Sequence, residues 1–271
     1  MSSHLIIISV SFAIIKYLVI PLQDSIWNPL IKQIVPHFLL DLGYDVESDQ
    51  TLTIMMISAI LGYVVMSGLC SCLDLFSPHH WKTQGARSYM DFGTWLKVVA
   101  ISLSNMFFCS WFILLPVWYI HKHGIFRGGS PLTTFTEPID PLRCILNMIA
   151  HSVIIDIWFY TTHRILHWGI FYKHVHKMHH LFKAPTAVAC MFAHPIEFCL
   201  GNVCGVILGP ALTNAHPYEC AFWMAFSLAS TSGAHSGYPA FGAQRCVFRS
   251  HSFSSCRCSC LVCLAILLSF S

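Results

Sequence analysis

His163-Arg-Ile-Leu-His167 sets two imidazoles at i and i+4, and His176-Lys-Met-His179-His180 adds three at i, i+3 and i+4. On helices, each set shares one face, a turn apart. Brought together, the two faces present five imidazoles to a common point. Neutral imidazole ligates iron, zinc, copper or nickel, so the pair of motifs predicts a metal centre. A lone His-x3-His is a weak signal. The His-x2-His-His beside it gives the pair its force over the plainer reading, a solvated basic amphipathic helix. His174 falls off the face set by His176. His79, His80, His121 and His123 sit at segment ends and read as interfacial. His151 and Asp156 lie inside an apolar segment. The acid there would either orient a ligand histidine or serve as a structural hydrogen-bond partner.

The elements that must hold these residues are greasy. The chain has 271 residues, 55% hydrophobic and 10% charged, with mean hydropathy +0.62. Soluble domains carry about a quarter charged residues, so a soluble globule, a disordered chain and a coiled coil are all disfavoured. Yet 17 histidines outnumber the 15 Lys and Arg, and histidine is costly within a bilayer. A net charge of +3, with no basic run interleaved with aromatics, argues against nucleic acid as a partner. Most of the 13 cysteines, including Cys70, Cys72, Cys109, Cys199 and Cys204, lie in apolar stretches and read as small hydrophobes.

Apolar segments cover residues 5–22, 52–76, 95–120 and 142–160, each of about the length that crosses a hydrocarbon core. The first lacks a basic flank and a cleavage site, so it reads as a retained membrane segment. The acidic stretch 23–50 reads as an external loop. Trp158, Phe159 and Tyr160 form an interfacial belt. Beyond them, residues 161–186 hold Arg164, Lys173, Lys177, Lys183 and six histidines, which places that loop in the cytosol. Residues 187–233 have no Lys or Arg and fit one span, two spans or an interfacial hairpin. The expected fold is all-α: a polytopic integral membrane protein with about four transmembrane helices and a cytosolic histidine-rich helical cap.

Further stretches carry a family likeness. They are residues 72–78 (CLDLFSP) with Trp81 and Lys82, residues 168–183 (WGIFYKHVHKMHHLFK), Ala193-His194-Pro195-Ile196-Glu197, and His235-Ser236-Gly237-Tyr238. With the histidine motifs, these make residues 60–238 resemble the fatty acid hydroxylase superfamily (sterol desaturase family), most closely its fatty acid hydroxylase domain-containing proteins. The resemblance implies N-terminal transmembrane hairpins over 1–140, a fatty acid hydroxylase domain over 141–238 and an atypical tail over 239–271. It implies a non-haem di-iron enzyme of the endoplasmic reticulum membrane, multi-pass, with its histidine motifs facing the cytosol. Such an enzyme hydroxylates or desaturates a sterol or fatty acyl lipid, with electrons from cytochrome b5 and its reductase. His163, His167, His176, His179 and His180 would be iron ligands, and His235 another. His194 is either a ligand, a residue orienting one, or a turn histidine before Pro195. No catalytic side chain is implied beyond the metal ligands.

The family pattern breaks after Tyr238. Where another His-x2-His-His belongs, the chain reads PAFGAQRCVFRSHSFSSCRCSC, with His251 alone. Cys256-x-Cys258-x-Cys260 is not a standard zinc spacing, and the apolar stretch 261–270 is too short to span. Two metals need roughly eight protein ligands at ordinary coordination numbers, and this chain supplies fewer. An impaired oxygenase is therefore the expectation. The alternatives are a non-catalytic form that regulates or pairs with intact lipid-modifying enzymes, and a membrane protein that holds zinc. A switch of reading frame or of final exon after Tyr238 accounts for the break. It predicts a transcript whose other frame after that codon encodes His-x-x-His-His, and a transcript without that motif contradicts it.

Overall fold

The computed structural model describes residues 50–76, 81–82, 90–122, 139–182 and 186–241, with isolated positions Pro21, Ser25 and Pro29. The expected span 5–22, most of the acidic 23–50 stretch, and the tail beyond Phe241 lie outside the described residues. The elements are α1 (Gln50–Phe76), α2 (Phe92–Ser104), α3 (Ser110–Lys122), α4 (Pro141–Leu166), α5 (Gly169–His174), α6 (Pro195–Glu197), α7 (Cys204–Thr213) and α8 (Pro217–His235). Among the described residues every element is helical, as expected.

Local chemistry sets the boundaries. Asp91 caps α2 by accepting from the Thr94 N–H at 3.0 Å. Asp140 caps α4 by accepting from Leu142 and Arg143, with Pro141 in the first turn where its missing N–H costs nothing. His216 does the same for α8 ahead of Pro217. Asn214, at φ 50°, ends α7 in the left-handed conformation that asparagine tolerates.

Among the described residues, four helices are long and apolar enough to cross a membrane: Thr51–Phe76, Phe92–Ile120, Pro141–Leu166 and Pro195–Thr213. The first three match expected segments. The third runs on past the aromatic belt, so His163 lies on the spanning helix itself. The fourth falls within 187–233, where the sequence left the number of spans open.

Small residues let the helices touch. A Cβ on Gly62 of α1 would overlap the Ala225 carbonyl of α8. Gly205 and Gly209 of α7 sit against Trp158 and His151 of α4, where a Cβ would come within 2.9 and 2.7 Å of those rings. Such small-xxx-small contacts are how apolar helices pack where lipid removes the hydrophobic drive between them. His151 is fully buried at this crossing, its Nε2 2.9 Å from Thr213 Oγ1, in a structural role.

The irregular strap 186–193 is buried too, and a buried backbone must have its polar groups paired. Tyr63 and Ser102 donate to the Val188 carbonyl at 2.8 and 3.2 Å. Asn105 donates to the Met191 and Ala193 carbonyls at 3.3 and 2.9 Å. Asn105 opens a π turn (Asn105–Cys109) between α2 and α3, an irregularity common where a helix serves a site.

Overpacking a close crossing costs about 1–3 kcal/mol. Gly209→Leu is therefore expected to lower the thermal midpoint of the protein in detergent, with Gly68→Leu, which meets open space, as the control. Equal midpoints would contradict the packing.

Candidate metal centre

The end of α4 brings in His163, and His167 follows as its capping residue. After α5, the second motif forms a 3-10 turn (His176–Leu181) rather than the expected α-helix. The five imidazoles do not share one face. His176 and His179 stack at 23° with centroids 5.8 Å apart, and His180 turns away from His179 at 76°.

Four of the five converge. One nitrogen from each of His163, His167, His176 and His180 lies within 4.8 Å of all the others. His167 Nε2 stands 3.1 Å from His163 Nε2, and His180 Nε2 stands 2.8 Å from His176 Nε2. Two imidazole nitrogens bound at about 2.1 Å to one ion, at right angles, stand about 3.0 Å apart. The observed separations suit ligands sharing a cation as well as N–H···N hydrogen bonds, and the donor set could hold a divalent transition metal.

Glu197 fixes the orientation of this group. Its Oε1 lies 2.8 Å from His176 Nδ1, and both residues are buried. A carboxylate accepting from Nδ1–H leaves the Nε2 lone pair facing the cluster, the usual support for a ligating histidine. Burial first, then neighbouring imidazoles, push the His180 and His167 pKa values below the usual histidine range. Both rings are thus neutral at cellular pH, as ligation requires. Sequence reasoning did not single out Glu197. The available signal was its place in Ala193-His194-Pro195-Ile196-Glu197, read there only as a likeness.

His179 and His235 form a second, adjacent pair, with ring centroids 5.6 Å apart. His235 donates from Nδ1 to the Thr231 carbonyl at 2.9 Å, which leaves Nε2 as its free acceptor. His179 Nδ1 is buried without a hydrogen bond. The turn after His235 is tied down. Gly237 takes φ 82°, Ser236 Oγ accepts from the Tyr238 N–H, and Tyr238 donates its hydroxyl to Asp74 at 2.8 Å. Lys82 pairs with the same carboxylate at 2.6 Å and lies 5.2 Å over the Tyr238 ring. The motif at 72–82 thus anchors the helix end that presents His235.

His194 stands outside the four-histidine group. It caps α6, its Nδ1 accepting from the Ile196 N–H at 3.2 Å, the arrangement of a turn histidine. Asp156 lies seven residues below His163 on α4, in a groove with Trp223 and Phe226. The carboxylate that orients a clustered histidine is Glu197, not Asp156.

Comparison with known proteins agrees with the likeness read from the sequence. The fatty acid hydroxylase family model matches residues 148–256, a segment that includes all the histidines above. The chain is 33% identical over 162 residues to a C-4 methylsterol oxidase of Candida albicans, covering 58% of this chain and 50% of that one. It is 37% identical over 121 residues to fatty acid hydroxylase domain-containing protein 2 of Homo sapiens, covering 40% and 36%. It is 37% identical over 112 residues to a very-long-chain aldehyde decarbonylase of Oryza sativa, covering 41% and 40%. The chain spans half or less of the length of these curated relatives. No solved structure matches it.

Loss of a carboxylate behind a ligating histidine typically weakens metal binding about 10–100-fold. Glu197→Gln is expected to do so for ferrous iron in a chelator competition, while His194→Ala changes little. Unchanged affinity in Glu197→Gln would contradict the role given to Glu197.

Proposed function

We propose that this fatty acid hydroxylase domain is a membrane-bound non-haem iron oxygenase that hydroxylates or desaturates a sterol or fatty acyl lipid, and that this chain is an impaired form of it. The observation that carries the reading is the convergence of His163, His167, His176 and His180 at ligand spacing, with Glu197 behind His176. The relatives named as a methylsterol oxidase and an aldehyde decarbonylase support chemistry on lipid substrates.

His163, His167, His176 and His180 would hold one iron, while His179 and His235 would contribute to a second. Iron bound there would supply the activation of dioxygen needed to oxidise a C–H bond. The protein contributes the rest. Glu197 keeps His176 in one tautomer, and Asp74, Lys82 and Tyr238 hold the His235 turn. The histidines lie at the end of a spanning helix, so a tail rising from the bilayer reaches them without leaving hydrocarbon. The basic residues 164–183 support a cytosolic orientation of this end under the positive-inside rule. An endoplasmic reticulum location, with cytochrome b5 and its reductase as electron source, fits that orientation.

Impairment follows from the ligand count. The second pair has two histidines among the described residues, and beyond Tyr238 the sequence offers only His251. The same shortage favours the second reading, a non-catalytic form that pairs with intact lipid-modifying enzymes. In domain terms, we assign hairpins to 1–140, the hydroxylase domain to 141–238 and an atypical tail to 239–271.

The expected outcome is about one tightly held iron per chain by elemental analysis, and weak product formation in cellular lipidomics that His176→Ala abolishes. Two irons with vigorous turnover would contradict the impairment. Zinc alone would favour metal holding, and no metal would favour the non-catalytic reading.

A further inference from the structure

Asp156 is a polar group in an apolar place. It sits in the middle of the third spanning helix, in a groove of about 480 Å³ between α4 and α8. Met148, Val153, Phe222, Trp223 and Phe226 form the walls. Among the described residues, no hydrogen bond or ion pair reaches its carboxylate. An unpaired carboxylate at membrane depth is costly, and it marks a functional position by default. Ser152, one turn below on the same wall, donates its hydroxyl to the Met148 carbonyl. The groove therefore offers the Asp156 carboxyl oxygens as its unpaired acceptors.

The groove is also aligned with the metal centre. Asp156 and His163 are seven residues apart on α4, on one face and about 10 Å apart along the axis. Phe159 bridges them, its ring stacked on His163 with centroids 5.3 Å apart. The other wall, α8, ends at His235. Both walls thus lead to the histidines, and the volume lies within the range of small-molecule sites.

We propose that this groove is the berth of a lipid alcohol, with the Asp156 carboxylate accepting a hydrogen bond from its hydroxyl about 10 Å from the carbon presented to the histidines. This deepens the oxygenase reading and rests on it for the fate of the lipid, but not for binding. A fatty acid would set a second carboxyl beside Asp156, and two carboxylates sharing one site cannot both ionise. An ammonium would add the desolvation of a second ion. A neutral hydroxyl donates its one hydrogen bond to the carboxyl without that cost.

The test uses the purified full chain in detergent micelles, with a diazirine-bearing hexadecanol and its methyl ether as photoprobes. The alcohol is expected to label peptides from α4 and α8 about tenfold more strongly than the ether, the scale of one hydrogen bond made against one left unmade. Asp156→Leu should reduce alcohol labelling to the ether level, while Asp156→Asn, which still accepts, retains most of it. Iron content should stay unchanged in both variants, which separates lipid anchoring from metal ligation. Equal labelling by the two probes overturns the proposal. So does unaltered labelling in Asp156→Leu, or lost iron in that variant. Cross-linking of residues 5–22 into the groove overturns it as well, by making that segment the occupant. Selective labelling in a chain that holds no iron would defeat the oxygenase reading and leave the lipid site standing.

Discussion

Everything in this structure depends on the close approach of imidazole nitrogens. His176 and His180 bring theirs within 2.8 Å, and His163 and His167 within 3.1 Å. At most one proton can sit between each pair, so lone pairs crowd a small, partly buried volume. Such crowding becomes favourable when a cation takes the shared position, and only if the rings are neutral and fixed beforehand. Burial achieves the first condition and Glu197 the second.

The fold can be read backward from that requirement. Glu197 must reach His176 from α6, and α6 follows the strap 186–193. The strap is a short 3-10 turn (Ala187–Met191) with extended flanks inside the bundle, so several of its carbonyls need donors from outside it. Tyr63, Ser102 and Asn105 provide them from α1, α2 and the π turn. The first two spanning helices thus serve the centre without contributing a ligand. Likewise Asp74 and Lys82 hold Tyr238, which fixes the turn next to His235. The Asp74–Lys82 pair is mostly shielded from solvent, and breaking such a pair strands a charge. Its place in the structure is to set one helix end rather than to add stability.

Much of this was legible in the sequence. Apolar length gave three of the spans, because crossing a bilayer demands about twenty apolar residues whatever the fold. His-x3-His at the end of such a segment gave half of the four-histidine group. What spacing misjudged was the second motif. An i, i+3, i+4 pattern implies one face only if the helix is α, and His176–Leu181 is a 3-10 turn. In that turn His180 stays with His176, their Nε2 atoms 2.8 Å apart, while His179 faces His235. The supporting residues were not legible at all as such. Glu197, Asn105 and Asp74 act across long separations along the chain, on partners that no local pattern names. The number of spans in 187–233 was likewise undecidable from hydropathy, because the strap and α8 are as poor in charge as the span between them.

The most direct test of the central claim is iron K-edge absorption on the purified, iron-loaded protein. The account predicts a first shell of nitrogen or oxygen at about 2.1 Å, with imidazole outer-shell scattering that falls markedly in His176→Ala. A spectrum without imidazole scattering, or one dominated by sulfur from the cysteines, would contradict it.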